Sequence, residues 1–333
     1  MMKPDNMSKN KHDTNPPAPS AAVKAAYLTL SKKMTVEQLF QAIATNCLVQ
    51  VEANRAGVVQ VLDAENGQGA ESVECVHQMR VGLRRLRCAF GLFKKVLQVP
   101  AQLRQEFDWL GTQLGAARDW DVLADSTIPV FVAMVPAKAE LAGLSPAVLG
   151  KAHAQHEVAA AALNSARYTQ LMSNFTDWVQ GCGWRGHLSP EDQQHLAAPA
   201  MPFVCHALMQ SRHRLFRQQQ KIDAVSPQAC HRVRITGKKM RYMAEFFVDL
   251  YPAKKMRATI AALSKLQDQL GALNDALVAD RLLVQLQQEQ AALAAGAGYL
   301  RGYLAAEVEI NIRKICKRWA KVKPIKLPRS VFA

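Results

Sequence analysis

Apolar residues recur at helical spacing along most of the chain. The pattern is clearest over residues 36–62, 103–125, 156–180 and 256–287, and it predicts long amphipathic helices there. Alternating β-branched runs joined by hairpin turns are absent, so the expected class is all-α. The strongest interruption, "GCGWRGHLSPEDQQHLAAPAMP" from Gly181 to Pro202, is rich in glycine and proline and divides the chain near its middle. A smaller break, "VPAKAELAGLSP", falls inside the first half.

The two halves repeat each other. "VHQMRVGLRRLR" (Val76–Arg87) returns as "CHRVRITGKKMR" (Cys230–Arg241), with His77 on His231 at an offset of 231 − 77 = 154. At the same offset Arg80 falls on Arg234, Arg84 on Lys238, Arg85 on Lys239, Arg87 on Arg241 and Phe93 on Phe247. Downstream, "LGAARD" (Leu114–Asp119) returns as "LGALND" (Leu270–Asp275) at 270 − 114 = 156. Order and spacing preserved together indicate a duplicated unit. Ser72 and Ser226 each lie five residues before the repeated histidine, and Pro227 follows the second. Serine as N-cap, with proline at the first helical position, predicts where both helices start.

Turning about 100° per residue, the first copy places Arg80, Arg84 and Arg87 within about 80° of His77. Val76, Met79, Leu83, Leu86, Phe90 and Phe93 take the neighbouring arc. One face is therefore core and the next a cationic ridge. His231, Arg234, Lys238 and Arg241 give the same ridge in the second copy, and Arg85 and Lys239 flank the pair. Like charges three and four residues apart repel, and neither ridge contains a carboxylate to offset this, which favours a bound anion over a merely solvated face. Arginine's planar fork donates two parallel hydrogen bonds to a phosphate, while lysine offers a point charge. The histidines either join the ridges or serve as structural bonds between helices.

Charge supports this picture. Lysine and arginine outnumber aspartate and glutamate by 42 to 27, a net +15, which points to a polyanionic partner. Seven scattered cysteines without a CxxC argue against a disulfide framework and fit a reducing cytoplasm. No apolar run reaches membrane-spanning length, and no signal-peptide pattern opens the chain. Residues 1–30 read as a disordered leader and 324–333 as a tail.

"VHQMRVGLRRLRCAFGLF" with "LGAARDWDVL", then "CHRVRITGKKMRYMAEFF" with "LGALNDALVADRL", resembles the CHAD family, named for conserved histidines in an α-helical domain. The resemblance covers nearly all of residues 36–323. It implies one domain over 31–323, with a first half at 31–182 and a second at 200–323. The implied fold is two four-helix bundles related by a pseudo-twofold, their basic helices lining a shared cavity. The implied activity is non-catalytic binding of inorganic polyphosphate without a cofactor, in some relatives at polyphosphate or polyester storage granules. Arg118 in the first LG motif joins the candidate set, but its counterpart is Asn274. With Lys238 and Lys239 standing for arginines, the second half is expected to grip less tightly.

Arg214 and Arg217 in "SRHRLFRQQQK" are candidates to extend the cavity. His153 and His156 have a spacing a metal could use, yet no cysteine or carboxylate set accompanies them, so no metal site is assigned. Asp119 and Asp275 are read as helix caps or as partners of the basic helices. Trp319, in the basic C-terminal run, is read as a core anchor. A nucleic-acid partner is the next alternative, weakened because the cationic faces lack aromatic side chains for stacking. A polyphosphate- or triphosphate-processing enzyme comes last, since neither ridge supplies carboxylates to hold a metal.

Overall fold

The computed structural model describes residues 21–60, 70–135, 141–220, 227–319 and 326–327. The helices are α1 (Val36–Ala53), α2 (Arg55–Val59), α3 (Ala70–Phe93), α4 (Ala101–Val122), α5 (Ile128–Met134), α6 (Leu144–Leu163), α7 (Ala166–Gln180), α8 (Pro190–Ala197), α9 (Ala200–Gln220), α10 (Pro227–Phe246), α11 (Ala253–Glu289) and α12 (Ala294–Trp319). The described residues contain no strand, only an isolated bridge between Thr35 and Pro199.

Local chemistry sets the boundaries. Thr35 and Gln38 form a reciprocal capping box at the start of α1. The expected helix over 156–180 is two helices, because Ser165 accepts from the Tyr168 amide and starts α7 afresh. α4 runs through a π-helical turn, Leu123–Thr127, into α5. α10 is described from Pro227, with Ser226, its expected cap, outside the described residues, and α3 is described from Ala70. Ser72 is therefore not an N-cap. It is buried in the first turn, and its hydroxyl lies 3.2 Å from His156 Nδ1, while His156 Nε2 lies 2.9 Å from Asp121. This sealed Ser72–His156–Asp121 chain ties α3, α4 and α6 together. It also turns His156 inward, whereas His153 is exposed beside Glu157, so the two histidines do not share a site.

Packing repeats its order in the two halves. α1 on α3, α3 on α4 and α4 on α6 correspond to α9 on α10, α10 on α11 and α11 on α12. The halves meet where α3 touches α10 and α4 touches α11. One apolar core runs through both: Phe40, Met79, Phe93 and Phe107 belong to the same cluster as Val233, Phe247, Leu263 and Leu270. A second cluster joins Trp120 and Phe131 to Leu283, Leu286 and Leu300. Each fully buried Leu or Phe contributes about 1.5–3 kcal/mol, so neither half would retain its burial alone.

Residues 21–30, assigned to the leader from sequence, are instead laid along the bundle. The Asn54 amide exchanges hydrogen bonds with the Val23 backbone at 2.9 and 2.8 Å, Leu30 is buried, and Tyr27 donates to Asp249. Backbone held by a buried amide is ordered at little cost, which composition alone does not show. Residues 1–20, the tail beyond Leu327 and the side chain of Trp319 lie outside the described residues.

Candidate anion-binding site

The apolar arc of α3 is buried as expected: Val76, Met79 and Phe93 are inaccessible, and Leu83, Leu86 and Phe90 nearly so. That anchoring turns the adjacent arc towards α4 and the other half. On α4, Gly111 and Gly115 are slots for the arginines. Arg87 lies across Gly111, where a Cβ would collide with its guanidinium, and a Cβ at Gly115 would come within 2.6 Å of Arg80 Nη1. Arg87 donates to Asp108 at 2.9 Å and to the Phe107 carbonyl at 3.0 Å. Arg80 lies 3.8 Å from Asp119. Carboxylates absent from the ridge sequence thus arrive from the next helix, which corrects the expectation of an unrelieved row.

The ridges of the two halves face each other. Arg84 is near enough to Lys238 and Arg234 to disfavour their charged forms. Burial, then Arg84, then Arg234, hold the Lys238 ammonium down to about 7, against a smaller opposing pull from Asp275. Burial lowers Arg234 as well, although Asp275 opposes it. Arg80 is pushed down to about 10 by burial, despite Asp119. His77 falls to about 4 through burial and then Arg118, which keeps its imidazole neutral near pH 7. Asp119 is raised by burial, although Arg80 and Arg281 both attract its charge, and Asp275 adds repulsion from the other half.

Buried guanidinium nitrogens find no acceptor within the protein at Arg80, Arg84, Arg234 and Arg241, where each Nε is unpartnered. An unmet buried donor costs about 1–3 kcal/mol, so this many along one interface set it apart from an ordinary packed surface. A family model described as the CHAD domain matches residues 42–284. The chain belongs to the CHAD family. The crystal structure of the CHAD domain from the plant Ricinus communis superposes with a TM-score of 0.79 at 34% identity, over 92% of this chain and 99% of that one. No curated protein matches the chain. The CHAD family is associated with polyphosphate and triphosphate binding in general.

Not every residue read as a site residue in this CHAD domain joins the cluster. His77, Arg80, Arg84, Arg118, Arg234 and Lys238 are brought together by mutual electrostatic contact, and Arg87 and Arg241 extend them. Arg85 is set apart. It lies 100° further round α3 than Arg84, is buried, and donates to Gln50 and Asn46 of α1 at 2.8 Å each, with Phe246 beneath it at 5.2 Å. Lys239 is exposed, and its backbone carbonyl accepts from Cys88 on the α3 side. His231 is exposed, unlike His77. Arg214 and Arg217 are exposed on α9; the inward position between Leu208 and Leu215 belongs to Arg212, whose Nε is buried and unpartnered.

Two contributors were missed. Arg281 reaches from α11 to Asp119 at 3.2 Å, so one carboxylate links Arg80 of the first half to a cation of the second. Glu245 pairs with Arg241 at 3.2 Å, four residues apart on α10. The second could have been found by i,i+4 pairing. The first depends on how α4 and α11 meet, for which the chain carries no local signal.

Proposed function

We propose that this protein binds inorganic polyphosphate along the paired ridges of α3 and α10 and does not turn it over. The observation carrying this reading is the facing of Arg84 with Lys238 and Arg234, flanked by guanidinium donors without acceptors. A linear chain of phosphates offers dense, sugar-free acceptors that such a row can follow. Three carboxylates beside the ridges are paired, Asp108 with Arg87, Asp119 with Arg80 and Arg281, and Glu245 with Arg241, while Asp275 lies near Arg234 and Lys238. They act as counter-charges to the arginines, which supports binding over hydrolysis. No helix among the described residues is long and apolar enough to cross a membrane. The reading extends to cytoplasmic storage granules, where polyphosphate would be the docking ligand.

The test is a titration with polyphosphates of graded length, with RNA and DNA as competitors at fixed salt, and with orthophosphate release followed with and without magnesium. Affinity rising steeply with chain length, little competition by nucleic acid and no release are expected. Preference for single-stranded nucleic acid, or turnover, would replace this reading.

A further inference from the structure

At the end of the first ridge, between the C-terminal part of α3 and the start of α4, lies a cleft of about 520 Å3. Its rim carries three cations, Arg87, Lys94 and Arg104, against one carboxylate, Asp108, which Arg87 already holds. Its floor is apolar, formed by Phe90, Leu97, Val99 and Phe107. Gly91 opens the space above that floor, since a Cβ there would meet nothing within 4 Å.

Nothing in the fold obliges this cleft to exist. In the second copy of the repeat, Arg87 is matched by Arg241, but Gly91 by Glu245, Lys94 by Val248 and Arg104 by Ile260. There the glutamate pairs with the arginine on its own helix, and the two other cations are replaced by apolar residues. At these matched positions the cationic rim is confined to the first half. A bare phosphate chain has no use for the cleft's apolar floor. A ligand joining phosphates to a planar or apolar body would use both, its charge on the rim and its body over Gly91.

We propose that this cleft binds an organic phosphate of the nucleotide type, its phosphates shared with the ridge through Arg87 and its base seated on the apolar floor. The proposal rests on the polyphosphate reading only through Arg87. It assigns a second ligand class to the protein and makes the nucleotide a competitor of polyphosphate at one end of the ridge.

Calorimetric titration of ATP against tripolyphosphate in magnesium-free buffer tests this, because the two offer similar charge and only one has a base. ATP is expected to bind about tenfold more tightly. The variant Gly91→Leu, on an exposed helical position, fills the cleft; it should erase that difference and leave tripolyphosphate and long polyphosphate within about twofold of wild type. The double variant Lys94→Ala/Arg104→Ala should weaken ATP more than it weakens the long chain. ATP binding no better than tripolyphosphate would overturn the proposal, as would a difference that survives Gly91→Leu. If the ATP behaviour is as expected but long polyphosphate does not bind, the cleft stands and the polyphosphate reading falls.

Discussion

The two ridges are written from one pattern and built to different standards. In the first, Arg80 and Arg87 are laid into glycine slots on α4, and each has a carboxylate partner on that helix. In the second, nothing approaches the corresponding Gly271, Gln267 stands where the first half has Gly111, and a lysine replaces the central arginine. The first ridge is pre-positioned and carries arginine at Arg80, Arg84 and Arg87. The second has no such slot at Gly271, and its central charge is conditional, because Lys238 titrates near neutrality. The matched helices thus share a cationic face but differ in how it is held and in its central residue.

The comparison is broken most severely by removing one ridge at a time. Arg80→Ala/Arg84→Ala/Arg87→Ala should lower affinity for long polyphosphate by about a hundredfold or more, and Arg234→Ala/Lys238→Ala/Arg241→Ala by about tenfold, since linked contacts on one ligand reinforce each other. Each triple variant should also flatten the dependence of log affinity on log salt by about 2–3, as roughly 0.7–0.9 is lost per phosphate contact. Circular dichroism should stay helical, because these side chains lie off the buried arc of α3 and its counterpart. A second-ridge variant that binds like wild type would show that the two ridges do not share a ligand.

A smaller effect separates fixed charge from conditional charge. The Lys238 ammonium stands at about 7 in the folded protein, below its ordinary 10.5. Its charged form is therefore penalised by folding; the penalty is complete below pH 7 and is relieved as pH rises from 7 towards 10.5, so this group makes the free protein more stable with pH across that window. A bound polyanion favours the charged form, so binding above pH 7 takes up a proton. Arg84 from α3, Asp275 from α11, and Arg234 and Arg241 from α10 itself surround the amine. Affinity should fall by up to about tenfold between pH 7 and pH 8.5 in the wild type, and remain nearly flat in Lys238→Arg. His77, at about 4, contributes nothing to this slope. Proton uptake measured by calorimetry in buffers of different ionisation enthalpy checks the sign; an identical slope in Lys238→Arg would remove the lysine from the account.

Much of this was legible in the sequence because helical periodicity is local. The 100° step sufficed to separate Met79 and Leu83 from Arg80 and Arg84, and the repeat carried the ridge to α10. What periodicity could not supply was the identity of the neighbour on each face. Arg85 reads as a flanking cation, but Gln50 and Asn46, contributed by α1, make it a buried structural donor. Ser72 reads as a cap until His156, 84 residues later, claims its hydroxyl. Arg281 reads as an ordinary exposed arginine until α11 meets α4 beside Asp119. In each case the deciding partner is distant in sequence and fixed by tertiary packing.

The finest test of the comparison acts on the glycines alone. In an exposed or half-exposed helix interior, glycine to alanine stabilises by about 0.5–1 kcal/mol when the space is free. At Gly271 it is free, so Gly271→Ala should raise the melting temperature and leave polyphosphate affinity within about twofold. At Gly115 the new methyl would lie 2.6 Å from Arg80 Nη1, the far end of a flexible side chain. The helix can accept it, but Arg80 must leave the slot and lose its place against Asp119. Gly115→Ala should therefore stay folded and lose affinity about three- to fivefold, because an arginine no longer held in place is ordered only at the expense of binding. Gly111→Ala should do the same through Arg87. The measurement is affinity for long polyphosphate beside melting temperature for the three variants. If Gly115→Ala and Gly271→Ala respond alike, the slots do not pre-position the first ridge, and the difference between the halves reduces to arginine against lysine.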